Sequence, residues 1–216
     1  MQRKNNRILL AGISFIIGFI VWTILIRFID VKQIGPQDSS VGFATFNLFF
    51  HNLTKANILL YEITDWLSII PIAIVLCFAS LGLIELITRK SLFKIDKNII
   101  FLGVFYLIVL FFYVLFEIVT INYRPILIDG FLETSYPSST TMLVISVMGT
   151  TFININHYIK NNVIKRTLKI ATIIFINFMV ICRIISGVHW ITDIIGGTLF
   201  SVGIVLVYYY FDRLLK

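Results

Sequence analysis

The stretch Arg183-Ile-Ile-Ser-Gly-Val-His189-Trp-Ile-Thr-Asp193 sets three residues with catalytic chemistry into a chain that is otherwise mostly apolar. Ionisable side chains are costly in hydrocarbon and call for a functional reason. His189 and Asp193 are four positions apart, a spacing that on a helix predicts one shared face, with the carboxylate accepting an imidazole N–H and fixing its tautomer. The other ring nitrogen is then free to act as a base or nucleophile. Arg183, six residues earlier, is close enough across a turn to hold an anion against that ring.

A second polar cluster reads Asn122-Tyr-Arg124-Pro125, then Ser135-Tyr-Pro137-Ser138-Ser139-Thr140-Thr141. Proline followed by hydroxyl residues signals a helix start, with Ser138 or Ser139 available as the cap. The free N–H groups of a helix N-terminus favour an anion. With Arg124 and Arg183 added, the site suits a phosphate better than a carboxylate.

The elements that must carry these residues follow from composition. The chain has 216 residues, 58% hydrophobic and 13% charged, with a mean hydropathy of +0.95. Soluble domains carry roughly 25% charged residues, so this is an integral membrane protein. Apolar runs at roughly 8–28, 66–87, 98–120, 138–156, 168–187 and 191–211 are each near the length needed to cross a bilayer. The expectation is an all-α, polytopic helix bundle of about six transmembrane helices, with residues 1–216 forming a single membrane-embedded domain. The first run follows Arg3, Lys4 and Arg7 and reads as an uncleaved signal anchor. The fourth contains Thr140, Thr141, Asn154 and Asn156, is the least apolar, and must face protein more than lipid.

Arg27, Lys32, Lys55, Arg124 and Arg183 fall on one side of this layout and all other Lys and Arg on the opposite side. The positive-inside rule then makes both termini cytoplasmic and collects Arg124, Ser138, Arg183, His189 and Asp193 at the extracytoplasmic end. The net charge of +7 is accounted for by this topology, so nucleic acid is not expected as a partner. Residues 29–65 form an extracytoplasmic loop whose aromatic run at 41–50 is too short to span and is expected to lie along the interface. Cys77 and Cys182 both fall in apolar runs and suggest neither a disulfide framework nor a metal site. No acidic cluster has a convincing Mg²⁺ spacing, and no cofactor is expected.

In order and spacing these segments resemble the type-2 phosphatidic acid phosphatase and haloperoxidase superfamily, in its six-span lipid phosphatase branch. That family's pattern is K-x6-R-P, then P-S-G-H, then S-R-x5-H-x3-D. Arg124-Pro125, Pro137-Ser138 and Arg183-x5-His189-x3-Asp193 match it. The resemblance implies that His189 is a nucleophile forming a phosphohistidine, that Asp193 orients it, and that Arg124, Ser138, Ser139 and Arg183 form the phosphate-binding set. It also implies a lipid phosphate substrate, a cell-membrane location and metal-independent hydrolysis. Three positions depart from the pattern. Glu117 stands where the family has its lysine, Ser139 and Thr140 replace glycine and histidine, and Cys182 replaces the serine before Arg183.

The missing histidine is the family's acid to the leaving group, and general acid catalysis is worth about 10² to 10⁴ in rate. Its loss matters least for a leaving group that departs without a proton, so a lipid diphosphate of the polyprenyl type is expected to be favoured over a monophosphate. Thr140, His51 and Glu117 are the candidates for a substitute acid or a tuning group, with Glu133 and Asp129 weaker. His51 reads first as a solvated loop residue, and Glu117 as a partner for Arg124 or another cation. The alternatives are a lipid-phosphate binder or scaffold that has lost turnover, and a phosphotransferase.

Overall fold

The computed structural model describes residues 2–215. Among these, eight α-helices follow one another: α1 (Gln2–Phe28), α2 (Ala44–Thr54), α3 (Ile58–Leu67), α4 (Ile69–Arg89), α5 (Lys97–Ile118), α6 (Ser139–Tyr158), α7 (Asn162–Ile185) and α8 (Ile191–Leu214). A two-residue antiparallel pair, β1 (Lys32–Gln33) with β2 (Ser40–Val41), closes the turn after α1. Among the described residues five segments are long and apolar enough to cross a membrane, with α3 and α4 counted together as one. The expected all-α membrane bundle is therefore the observed fold. Of the basic residues that set the expected orientation, Lys216 lies outside the described residues, as do the side chains of Arg3 and Lys4.

α6 is not among those five, yet it stands in the interior, packed on α4, α5, α7 and α8. Its low hydropathy has a physical cause, because its polar side chains are matched from within the protein. Thr150 donates to the Ser146 carbonyl, and Asn154 donates to Tyr208 Oη at 2.9 Å. Such bonds remove the cost of burying hydroxyls and amides. α8 is the other interior helix, set between α1 and α6. At Gly203 an added Cβ would lie 2.8 Å from Ile16 Cγ1, so the close α1–α8 approach depends on a small residue there. An aromatic layer of Phe19, Phe105, Phe200, Tyr136 and Tyr208 fills the space between α1, α5 and α8.

The segment at 29–65, expected as a loop, is mostly helix. Asn57 caps α3 by accepting from the Leu60 N–H, a signal that the polar, aromatic-rich composition had obscured. α3 packs on α7, and its first turn is tied down where the Asn57 N–H donates to the Ser186 carbonyl at 2.8 Å. Residues 119–138 are an irregular hairpin turning at Asp129-Gly130, both at positive φ. The Arg124 N–H donates to the Glu133 carbonyl and the Ser135 N–H to the Asn122 carbonyl. The hairpin thereby sets Asn122 and Arg124 opposite Glu133 and Ser135.

Candidate active site

His189 sits in the turn joining α7 to α8. Gly187 permits that turn: its φ is +62° and an added Cβ would lie 1.9 Å from the Lys55 carbonyl oxygen, so both backbone conformation and space exclude a side chain. Because α8 begins at Ile191, His189 lies before the helix and Asp193 in its first turn. The two do not share a helical face, and the direct bond expected from their spacing is not formed; Nδ1 and Oδ2 are 4.0 Å apart. Asp193 instead accepts the Trp190 backbone N–H at 2.9 Å, which satisfies one of the free donors at a helix start.

Ser135 fills the gap. Its Oγ lies 2.5 Å from Asp193 Oδ2 and 3.1 Å from His189 Nδ1, and its carbonyl is 3.2 Å from the same Nδ1. The hydroxyl donates to the carboxylate, and the imidazole Nδ1–H donates to Ser135. The tautomer this fixes leaves Nε2 with its lone pair. Asn122 Nδ2 also approaches Asp193 Oδ1, at 3.4 Å. Burial, then the charges of Arg124 and Arg183, hold the His189 pKa well below its ordinary value, so the ring is a neutral base at physiological pH.

Both arginines are buried and share one aromatic neighbour: the Cζ of Arg183 is 4.7 Å, and that of Arg124 5.4 Å, from the ring centroid of Tyr61. Arg183 Nη2 donates to Thr140 Oγ1 at 2.5 Å and to Asp65 Oδ1 at 3.1 Å. Arg124 Nε lies 3.1 Å from Glu133 Oε2. Nη1 of Arg124 and both Nε and Nη1 of Arg183 are buried without a hydrogen-bond partner in the protein. Buried cationic donors left open in this way are what an oxyanion would satisfy.

A small pocket is bordered by Glu117, Arg124, Ser135, Ser139 and His189. Ser138, expected to grip phosphate, is fully buried beside the pocket rather than on its wall. Its N–H donates to the Asp193 carbonyl and its Oγ accepts from Thr141, so of the two neighbouring serines Ser139 is the one on that wall. Thr140 serves as an acceptor for Arg183. Glu117 accepts from Thr134 Oγ1 at 3.0 Å, while the partner of Arg124 is Glu133. His51 belongs to α2, half-buried, its ring centroid 5.5 Å from that of Trp190; burial lowers its pKa, and it does not border the pocket. Among the described residues no group of three or more His, Cys, Asp or Glu is placed to hold a metal ion.

The pocket shares Tyr113, Ser139 and Met142 with a cavity of about 760 Å³ between α4, α5 and α6. The cavity wall is almost wholly apolar, with Phe78, Gly82, Gly103 and Leu107 on it. Sequence reasoning passed over Ser135, Asn122, Tyr61 and Asp65. Ser135 and Asn122 stood in a visible polar cluster, and Tyr61 and Asp65 are four apart on one face of α3, which was the available sign.

The PAP2 superfamily model matches residues 104–215. Among solved structures the chain is similar to one described as the first transmembrane PAP2 type phosphatidylglycerolphosphate phosphatase from Bacillus subtilis. The TM-score is 0.59 at 16% identity, over 95% of this chain and 97% of that one, a likeness of fold. No curated protein sequence matches the chain.

Proposed function

The chain belongs to the PAP2 superfamily, and we propose that it is a membrane lipid phosphatase working through a phosphohistidine at His189. The observation that carries this reading is the pairing of a neutral imidazole, tied at Nδ1, with two guanidiniums that each keep a buried N–H donor without a partner, Nη1 of Arg124 and Nε and Nη1 of Arg183. Nε2 attacks phosphorus, the bond from phosphorus to the leaving oxygen breaks, and the imidazole becomes cationic as the P–N bond forms. Ser135 and Asp193 stabilise that cation. Arg124 and Arg183 neutralise the equatorial oxygens, the main requirement of phosphoryl transfer. Water then attacks the phosphohistidine, releasing phosphate and restoring neutral His189. No step calls for a metal.

The apolar cavity beside the pocket supports a lipid tail, and the distribution of Lys and Arg described above supports a site on the extracytoplasmic side of the cell membrane. At the position of the family's acidic histidine, the Thr140 hydroxyl is committed to Arg183. This supports a leaving group that departs unaided. A lipid diphosphate expels a phosphate whose second pKa is about 6, whereas a lipid monophosphate must expel an alkoxide, comparable to hydroxide leaving water with a pKa near 15.7. Lipid diphosphate is the favoured substrate.

The test is phosphate release by the purified protein from a panel of lipid mono- and diphosphates, with His189→Ala as control. Faster release from diphosphate, lost in His189→Ala together with a trappable phosphoprotein, is expected. Equal turnover of the monoester would remove the leaving-group argument, and the absence of any phosphoenzyme would favour a lipid-phosphate binder.

A further inference from the structure

We infer that Tyr61 and Asp65 of α3 are positioning residues of the phosphate grip: the Tyr61 ring holds Arg124 and Arg183 side by side, and the Asp65 carboxylate covers Arg183 until a phosphate replaces it. The inference rests on the proposed phosphate site and adds a helix to it.

Two like charges buried beside one ring repel each other and have been taken out of water, which calls for compensation. The negative face of an aromatic ring supplies it, and here one ring lies within 5.4 Å of both guanidinium carbons. Tyr61 can serve both because α3 is fixed from outside the site: its capping residue Asn57 is bonded to Ser186, three residues before His189, and its body packs on α7, which carries Arg183. Asp65 lies one turn further along the same face of α3, 3.1 Å from Arg183 Nη2. Its side chain is 62% exposed while Arg183 is 1% exposed. A carboxylate held mostly in solvent contributes little to such a pair, so a multiply charged phosphate that also fills the open Nε and Nη1 donors displaces it. Asp65 thus competes with substrate, opposite in sign to a residue that grips it.

The test is binding of inorganic vanadate to the full-length protein in detergent, by isothermal titration calorimetry. Tyr61→Leu is expected to weaken binding at least tenfold, with Tyr61→Phe, which keeps the ring, recovering most of that loss. Asp65→Asn is expected to tighten binding at least threefold and to lower KM for lipid phosphate in the same proportion. Unchanged or weaker vanadate binding in Asp65→Asn overturns the covering role, and Tyr61→Phe as weak as Tyr61→Leu overturns the ring platform. Should Tyr61→Leu fail to fold, the exposed Asp65 variant and Tyr61→Phe still decide the matter. Because binding needs no turnover, vanadate binding that depends on Tyr61 in a protein releasing no phosphate would overturn only the proposed activity. Wild-type protein that binds no vanadate would overturn this inference.

Discussion

Ser135→Ala removes a single oxygen from between the proposed nucleophile and its carboxylate. That oxygen lies 2.5 Å from Asp193 Oδ2 and 3.1 Å from His189 Nδ1, and hydrogen bonds to charged groups are worth about 1.5–3 kcal/mol. Two interactions survive the substitution. The Ser135 carbonyl still accepts from Nδ1, and the carboxylate still acts on the imidazolium from 4.0 Å, an attraction of about 4 kcal/mol at an effective dielectric of 20. The loss is therefore confined to the hydroxyl bridge, a fall of about 10- to 150-fold in kcat at 1.36 kcal/mol per decade. KM moves less, since the bridge acts on the ring and not on phosphate. Asp193→Ala loses bridge and charge together and should fall at least a further tenfold. The assay is single-turnover phosphate release from a lipid diphosphate, with thermal melting to establish that both variants are folded. A folded Ser135→Ala with kcat within twofold of wild type refutes the bridge, and a loss equal to that of Asp193→Ala refutes the separation of bridge from charge.

His189 has a folded pKa below that of the unfolded chain, so it remains neutral and able to attack as pH falls through about 6.5. The acid limb of kcat/KM should lie below that value, and Arg124→Met should raise the histidine pKa seen by ¹⁵N NMR; a limb at or above 6.5 contradicts the reading. The same shift makes stability sensitive to acid. The unfolded chain takes up the proton first, so the contribution is complete above about 6.5 and declines as pH drops below it, which melting against pH will follow. Gly103 borders the apolar cavity with nothing within 4 Å of an added Cβ. Gly103→Leu should fold normally, gaining about 0.5–1 kcal/mol of helix propensity, yet slow release from long-chain lipids more than from short-chain ones; equal slowing removes the cavity from the substrate path. Gly187→Ala forces a Cβ onto the Lys55 carbonyl at positive φ and should cost about 2–4 kcal/mol, in line with overpacking plus backbone strain, measured as a lowered melting temperature.

The amino-acid sequence by itself determined the class, the five apolar runs that form helices long enough to cross a membrane, and the order of the Arg124, Ser138–Ser139 and Arg183–His189–Asp193 segments. Apolar run length and short-range spacing are properties of consecutive residues, and both survive in the folded chain. Even α6 was legible, since its threonines and asparagines required a protein-lined surroundings. What the sequence misjudged was the pairing of His189 with Asp193 on one helical face, although the last apolar run was read from 191, where α8 starts. Moving His189 from a helix face to the turn before it converted a direct carboxylate contact into one bridged by Ser135. The helical character of 29–65 was hidden because its two helices are short and mix aromatic with polar residues, so neither presents a long apolar run. Tertiary structure alone decided the rest. Ser135 reaches His189 across 54 residues, and Asp65 reaches Arg183 across 118. Helical periodicity reports only neighbours three or four positions away, whereas these contacts are made by the packing of α3, α6 and the 119–138 hairpin around the turn that carries His189.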